Sequence, residues 1–113
     1  MGKNNRIKSD VYFHLLPENL NCAQSVLKGF QNEFKISDQE IDDYRAWGGG
    51  RAEGGVCGAI FSAERLLRES GKASVLEAFR MKAGGLLCTE LKDKNFTCAE
   101  YVRMADELIE ETL

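Results

Sequence analysis

Four cysteines are the residues of this 113-residue chain with the most specific chemistry: Cys22, Cys57, Cys88 and Cys98. A thiolate is both a nucleophile and a metal ligand. Three of the four, Cys22, Cys57 and Cys98, follow sequence signals for the start of a helix. Backbone N–H groups at such a position stabilise negative charge and make a thiol easier to deprotonate. The sequence therefore predicts a protein of thiol chemistry.

A glycine-rich segment, residues 48–55, runs almost directly into Cys57 and Gly58. Glycines let the backbone approach a bound group closely and expose N–H donors. We interpret Gly55, Gly58 and Arg51 as candidate cofactor-binding residues, and Arg51 would lower the pKa of the Cys57 thiol if it folds back. Because its neighbours are small, Cys57 is expected to be the most accessible and most acidic thiol. A loop that merely joins two helices is the alternative interpretation.

Metal binding is the other use that four thiols could have. A structural zinc site usually pairs its ligands at C-x2–4-C spacing, and this chain contains no such pair. An iron–sulfur cluster tolerates more scattered ligands, so Cys22, Cys57, Cys88 and Cys98 are also the candidate ligands of such a cluster. The single histidine, His14, is expected on a helix face as a structural residue.

Composition and charge restrict the class of protein. A length of 113 residues with 43% hydrophobic and 29% charged residues predicts one domain, residues 1–113, with its own core. The net charge of −3 disfavours a nucleic-acid partner. Since there is no long apolar stretch and the first residues are polar, we expect no membrane insertion and a cytoplasmic location, where thiols stay reduced.

The spacing of apolar residues predicts an all-α fold. We expect a single small bundle of about five or six helices, with the glycine-rich loop before the central helix. One helix is predicted to run from Cys22 to Phe34, and an opening helix carrying His14 is predicted to stop at Pro17. Gly71 and Gly84 are expected to end or break helices. Three capping pairs mark helix starts: Asn21 with Gln24, Ser37 with Glu40, and Thr97 with Glu100.

The order of the cysteines and their neighbours resembles a known family. The motifs are Asn21-Cys22-Ala23-Gln24, the stretch Gly55-Val56-Cys57-Gly58-Ala59, Cys88-Thr89-Glu90-Leu91, and Cys98. Together they are similar to the C_GCAxxG_C_C family of redox-active proteins over most of the chain. Ser62 stands where that family has the last glycine of its central motif. The resemblance implies that the four cysteines are the functional residues, and it implies redox activity without naming a substrate.

Three hypotheses follow for function. In the first, the protein is a thiol–disulfide oxidoreductase: Cys57 attacks, Cys22 or Cys98 resolves the bond as a disulfide, and a redox partner protein or small thiol is the partner. In the second, all four thiolates hold an iron–sulfur cluster. In the third, the chain is a non-enzymatic helical binding module with buried cysteines. Both redox hypotheses predict that the four sulfur atoms converge on one site.

Overall fold

The computed structural model describes residues 8–14, 19–47, 55–91 and 96–112, with the side chains of Cys88 and Thr89 outside that description. Its helices are α1 (Ser9–Tyr12), α2 (Cys22–Gly29), α3 (Gln31–Phe34), α4 (Asp38–Asp43), a 3-10 helix (Tyr44–Trp47), α5 (Gly58–Glu69), α6 (Leu76–Ala83), α7 (Cys88–Leu91) and α8 (Cys98–Thr112). Five of them have six or more residues. Within the described ranges, extended pairing is limited to two isolated β-bridges. The predicted all-α bundle is confirmed.

The core forms where α2, α5 and α8 pack on one another. Each of these helices presents alanines beside larger apolar side chains, so their backbones can approach closely while the gaps between them are filled. The fully buried residues of the three helices include Ala23, Val26, Ala59, Ile60, Ala63, Val102, Ala105 and Ile109. Helix α6 packs on α8, and α1 covers one side of α2 and α8.

The predicted helix starts are confirmed at all three capping pairs. The Asn21 side chain accepts a hydrogen bond from the Gln24 N–H at 2.8 Å, and the Gln24 side chain accepts one from the Asn21 N–H at 3.1 Å. Ser37 caps α4 by accepting from the Glu40 N–H. Thr97 and Glu100 form the same reciprocal pair as Asn21 and Gln24 at the start of α8. Such short-range bonds satisfy N–H groups that the helix leaves without partners.

Two predicted helices differ from those observed. The single helix expected from Cys22 to Phe34 is interrupted at Phe30, whose N–H turns back to the Leu27 carbonyl before α3 begins. Phe30 is completely buried, so packing of its ring outweighs the regular helical pattern. The opening helix ends at Tyr12, and His14 lies beyond it with a positive φ of 59°, its ring stacked on Phe13. The placement of His14 on a helix face was therefore wrong.

Glycines end two helices as predicted. Gly71 follows α5 with φ of 71°, and Gly84 follows α6 with φ of 93°, both in the left-handed region that favours glycine. None of the helices in the described part of the chain is long and apolar enough to cross a bilayer.

Candidate thiol site

All four cysteines stand at helix starts. Cys22, Cys88 and Cys98 are the first residues of α2, α7 and α8, and Cys57 is the N-cap of α5. The prediction for Cys22, Cys57 and Cys98 is confirmed. Cys88, which follows no such sequence signal, also begins a helix. The sulfur atoms of Cys22, Cys57 and Cys98 are therefore attached where a helix presents its N–H groups.

The position of Cys22 is set by side chains that fasten the start of α2 to its neighbours. The Asn21 amide donates to the Arg45 carbonyl at 2.9 Å, and the buried Gln24 amide donates to the Ile41 carbonyl at 3.0 Å. Both acceptors belong to α4 and the 3-10 helix. The two capping residues thus hold Cys22 in register with these two elements.

The position of Cys57 is set by backbone pairing with the segment before α7. The Cys57 N–H donates to the Leu86 carbonyl at 2.8 Å, and Val56 forms an antiparallel bridge with Leu87. Cys88 directly follows Leu87 in the chain. The backbone of Cys88 is therefore brought into the neighbourhood of Cys57.

The sulfur atoms of Cys22 and Cys57 meet at the start of α5, and we call these two residues the thiol pair. Their side chains are in hydrogen-bonding contact. A Cβ atom added to Gly58 would lie 2.7 Å from Cys22 Sγ and 3.1 Å from both the Ala23 nitrogen and the Trp47 oxygen. The absence of a side chain at Gly58 is what gives Cys22 its place beside Cys57.

The environment of Cys57 opposes its ionisation. The pKa of the Cys57 thiol is raised, first by its hydrogen bond with Cys22, then by burial and by the charge on Cys22. The backbone N–H groups of Ala59 and Ile60 act in the opposite direction but are weaker. Because two adjacent thiols cannot both carry a charge cheaply, the thiol pair retains a proton at neutral pH.

This environment corrects the expectation that Cys57 would be the most accessible and most acidic thiol. Cys57 is 6% exposed and Cys22 is 9% exposed, whereas Cys98 lies on the surface. The small residue after Cys57 does leave space, as its sequence suggested. However, that space is occupied by the Cys22 sulfur and is not open to solvent.

The side chain of Tyr101, in α8, forms a hydrogen bond with α7. Its buried hydroxyl donates to the Leu91 carbonyl in α7 at 2.9 Å. The pKa of Tyr101 is raised, first by burial and then by the thiolate forms of Cys57 and Cys98, so ionisation of either cysteine would act on this buried hydroxyl. Tyr101 therefore ties α8 to the end of α7 and lies within electrostatic reach of Cys57 and Cys98.

Gly55 and Arg51 are the other two residues that the sequence suggested for cofactor binding. Gly55 adopts a positive φ of 76°, and open space lies where its side chain would be. Arg51 lies outside the described residues. Cys22, Cys57 and Cys98 are thiols and not disulfides.

One of the four candidate ligands of an iron–sulfur cluster, the Cys88 side chain, lies outside the described residues. Across residues 8–14, 19–47, 55–91 and 96–112, no group of three or more His, Cys, Asp or Glu side chains is close enough to hold a metal ion. A cluster requires four ligands, of which the described part of the chain brings together the two thiols of the pair.

Two polar residues of this region were not identified from sequence. Ser62 is completely buried, and its hydroxyl donates to the Ala23 carbonyl at 2.8 Å, which joins α5 to α2 one residue from Cys22. The only sequence signal was a serine in place of glycine within the motif. Tyr101 carried the signal of an apolar stripe alone, which gives no indication of a hydrogen bond across helices.

Comparisons with protein-family models, with curated proteins and with solved structures found no match to this chain. The similarity of its cysteine pattern to a redox family stays a prediction.

Proposed function

We propose that this protein is a small helical redox protein that exchanges electrons through the thiol pair, Cys22 and Cys57. The observation that supports the proposal most directly is the contact of these two thiols, brought from separate helices to the start of α5. A disulfide needs two cysteines whose backbones are already close, and two packed helices can supply that separation.

The reaction is an exchange with the disulfide of a partner protein or small molecule, R–S–S–R. One thiol of the pair loses its proton and attacks a partner sulfur, which forms a mixed disulfide and releases R–S⁻. The second thiol then attacks the protein sulfur of that mixed disulfide and releases the second R–S⁻. The two protons of the pair end on the two released thiols. The pair loses two electrons and the partner disulfide gains them.

The contacts of each thiol favour distinct roles. Cys57 is the attacking group, since the Ala59 and Ile60 N–H groups stabilise its thiolate once a proton is lost. Cys22 is the resolving group because it is already in contact with Cys57. The raised pKa of Cys57 keeps the thiolate fraction low at neutral pH, so we expect slow exchange with small disulfides.

One observation favours a different function. Both thiols of the pair are buried and Cys57 has a raised pKa, as expected for small core residues in a helical binding module. In that case the pair fills space between α2 and α5 without reacting. The experiment must therefore distinguish a buried reactive pair from a buried inert one.

The test is equilibration of the reduced protein, without oxygen, in glutathione buffers of graded redox potential, followed by alkylation and peptide mapping. We expect a disulfide joining Cys22 to Cys57 that grows with the oxidising power of the buffer. A Cys98→Ser variant is the matched control and should form the same bond. If the pair stays reduced while the folded protein is exposed to the most oxidising buffer, the binding-module interpretation is the correct one.

Reconstitution with iron and sulfide tests the cluster hypothesis separately. The thiol mechanism predicts no stable charge-transfer absorption in the reconstituted protein. A chromophore that forms in the wild-type chain and is lost in a Cys88→Ser variant would replace the thiol mechanism with the cluster mechanism.

A further inference from the structure

The thiol pair has the features of a metal site that differs from the predicted cluster. Two sulfur atoms from different helices lie together, and each residue is less than 10% exposed. In the described part of the chain, no third His, Cys, Asp or Glu side chain joins them to complete a group of three. The pair itself therefore offers an ion two sulfur ligands.

The chemistry of the ligands selects the metal. Zinc takes four ligands in structural sites, and calcium and magnesium take oxygen ligands, so neither type of ion suits two isolated thiols. Thiolates are soft ligands and select copper(I) among the ions they prefer. Copper(I) is a monovalent d10 ion that is stable with two ligands in a linear arrangement.

The electrostatics of the pocket suit such a complex. One copper(I) ion with two thiolates carries a net charge of −1, which a buried site must offset. Helix α5 is 12 residues long, and the backbone N–H groups of Ala59 and Ile60 in its first turn act to lower the pKa of the Cys57 thiol. This helix start therefore supplies partial positive charge where the complex is negative.

We propose that Cys22 and Cys57 bind one copper(I) ion as a pair of thiolate ligands. Binding replaces the two S–H protons with one Cu⁺ and releases both protons to solvent, so charge and atoms balance. No electron is transferred in this step. Burial of the pair shields the ion from solvent, and Gly58 permits the Cys22 sulfur to lie beside Cys57. The site does not depend on the proposed disulfide exchange.

The test is anaerobic titration of the reduced protein with the copper(I)–bicinchoninate complex, which both supplies the ion and competes for it. We expect one copper per chain in the wild-type protein. Cys22→Ser and Cys57→Ser should each weaken binding by at least about 100-fold, because each removes one of two ligands. The Cys98→Ser variant removes a surface thiol and should bind copper within about 3-fold of the wild type.

A second variant tests geometry with every thiol retained. Gly58→Ala should push Cys22 Sγ away from Cys57 and weaken copper binding about 10-fold, while the number of titratable thiols is unchanged. Circular dichroism of each variant confirms that it is folded.

X-ray absorption of the copper-loaded wild-type protein is independent of any variant. It should show two sulfur neighbours around copper. Three or more sulfur neighbours, an equal loss of binding in Cys98→Ser, or no copper retained against bicinchoninate would overturn the proposal. These results leave the glutathione experiment unaffected, so failure of the copper site and failure of the disulfide mechanism are distinguishable.

Discussion

Replacement of Gly58 by alanine is the sharpest test of how the thiol pair is built. The added methyl carbon would lie 2.7 Å from Cys22 Sγ and 3.1 Å from two backbone atoms, the Ala23 nitrogen and the Trp47 oxygen. The sulfur could rotate away, but the two backbone atoms belong to α2 and the 3-10 helix. Relief of the contact therefore requires these elements to separate from α5.

The change in the free energy of unfolding caused by Gly58→Ala is the sum of two opposing effects. Overpacking a filled core by one carbon costs about 1–3 kcal/mol. Alanine in place of glycine recovers up to about 1 kcal/mol through helix propensity and a less flexible unfolded chain. We expect a net loss of about 1–2 kcal/mol in the free energy of unfolding, which lowers Tm by roughly 4–8 °C for a chain of this size.

The assay is urea unfolding of the reduced protein, followed by circular dichroism, within a double-mutant cycle. The four proteins are the wild type, Gly58→Ala, Cys22→Ala and the double variant. Removing the sulfur first should make the Gly58 substitution less costly, with an interaction energy of at least about 0.5 kcal/mol. The reasoning is refuted if Gly58→Ala is as stable as the wild type, or if its cost is the same with and without the Cys22 sulfur.

Three further predictions concern the same region. The raised pKa of Cys57 means that its contribution to stability is fully present below the pKa of an unfolded thiol, about 8.5, and is lost as pH rises above it. The free energy of unfolding of the reduced protein should therefore fall by up to about 1.4 kcal/mol per pH unit above pH 8.5, and Cys57→Ser should flatten that slope. Ser62→Ala should cost about 1 kcal/mol in urea unfolding, since it removes a buried hydrogen bond, and an unchanged midpoint would contradict that bond. Alkylation of the reduced, folded protein should modify Cys98 well before Cys22 or Cys57 by mass spectrometry, and uniform rates would argue against burial of the pair.

The helix starts could be predicted from sequence because the interactions that make them are local. Asn21 with Gln24 and Thr97 with Glu100 each bond within one helical turn, so residue types and spacing are sufficient. Glycine at a helix end is local for the same reason, as Gly84 illustrates. Because these signals are local, the positions of Cys22 and Cys98 at helix starts can be predicted without knowing how the helices pack.

The accessibility of Cys57 could not be predicted because it depends on a residue far away in the chain. A small neighbour at Gly58 indicates free space, but only the packing of α2 on α5 decides that the Cys22 sulfur fills it. The break at Phe30 has a similar origin, because burial of its ring overrides a helical pattern that continues on both sides. His14 was misplaced since the turn after Tyr12 leaves no periodic signal.

The separation of the thiol pair along the chain links its redox state to folding. A bond between Cys22 and Cys57 would close a loop of about 36 residues, which removes conformational entropy from the unfolded chain worth ~4 kcal/mol. By the same thermodynamic cycle, the folded chain must favour the disulfide over the dithiol by that amount relative to the unfolded chain, or roughly 85 mV for two electrons. A partner that oxidises the pair therefore also tightens the bundle, and any stress that loosens α2 from α5 makes the disulfide easier to reduce.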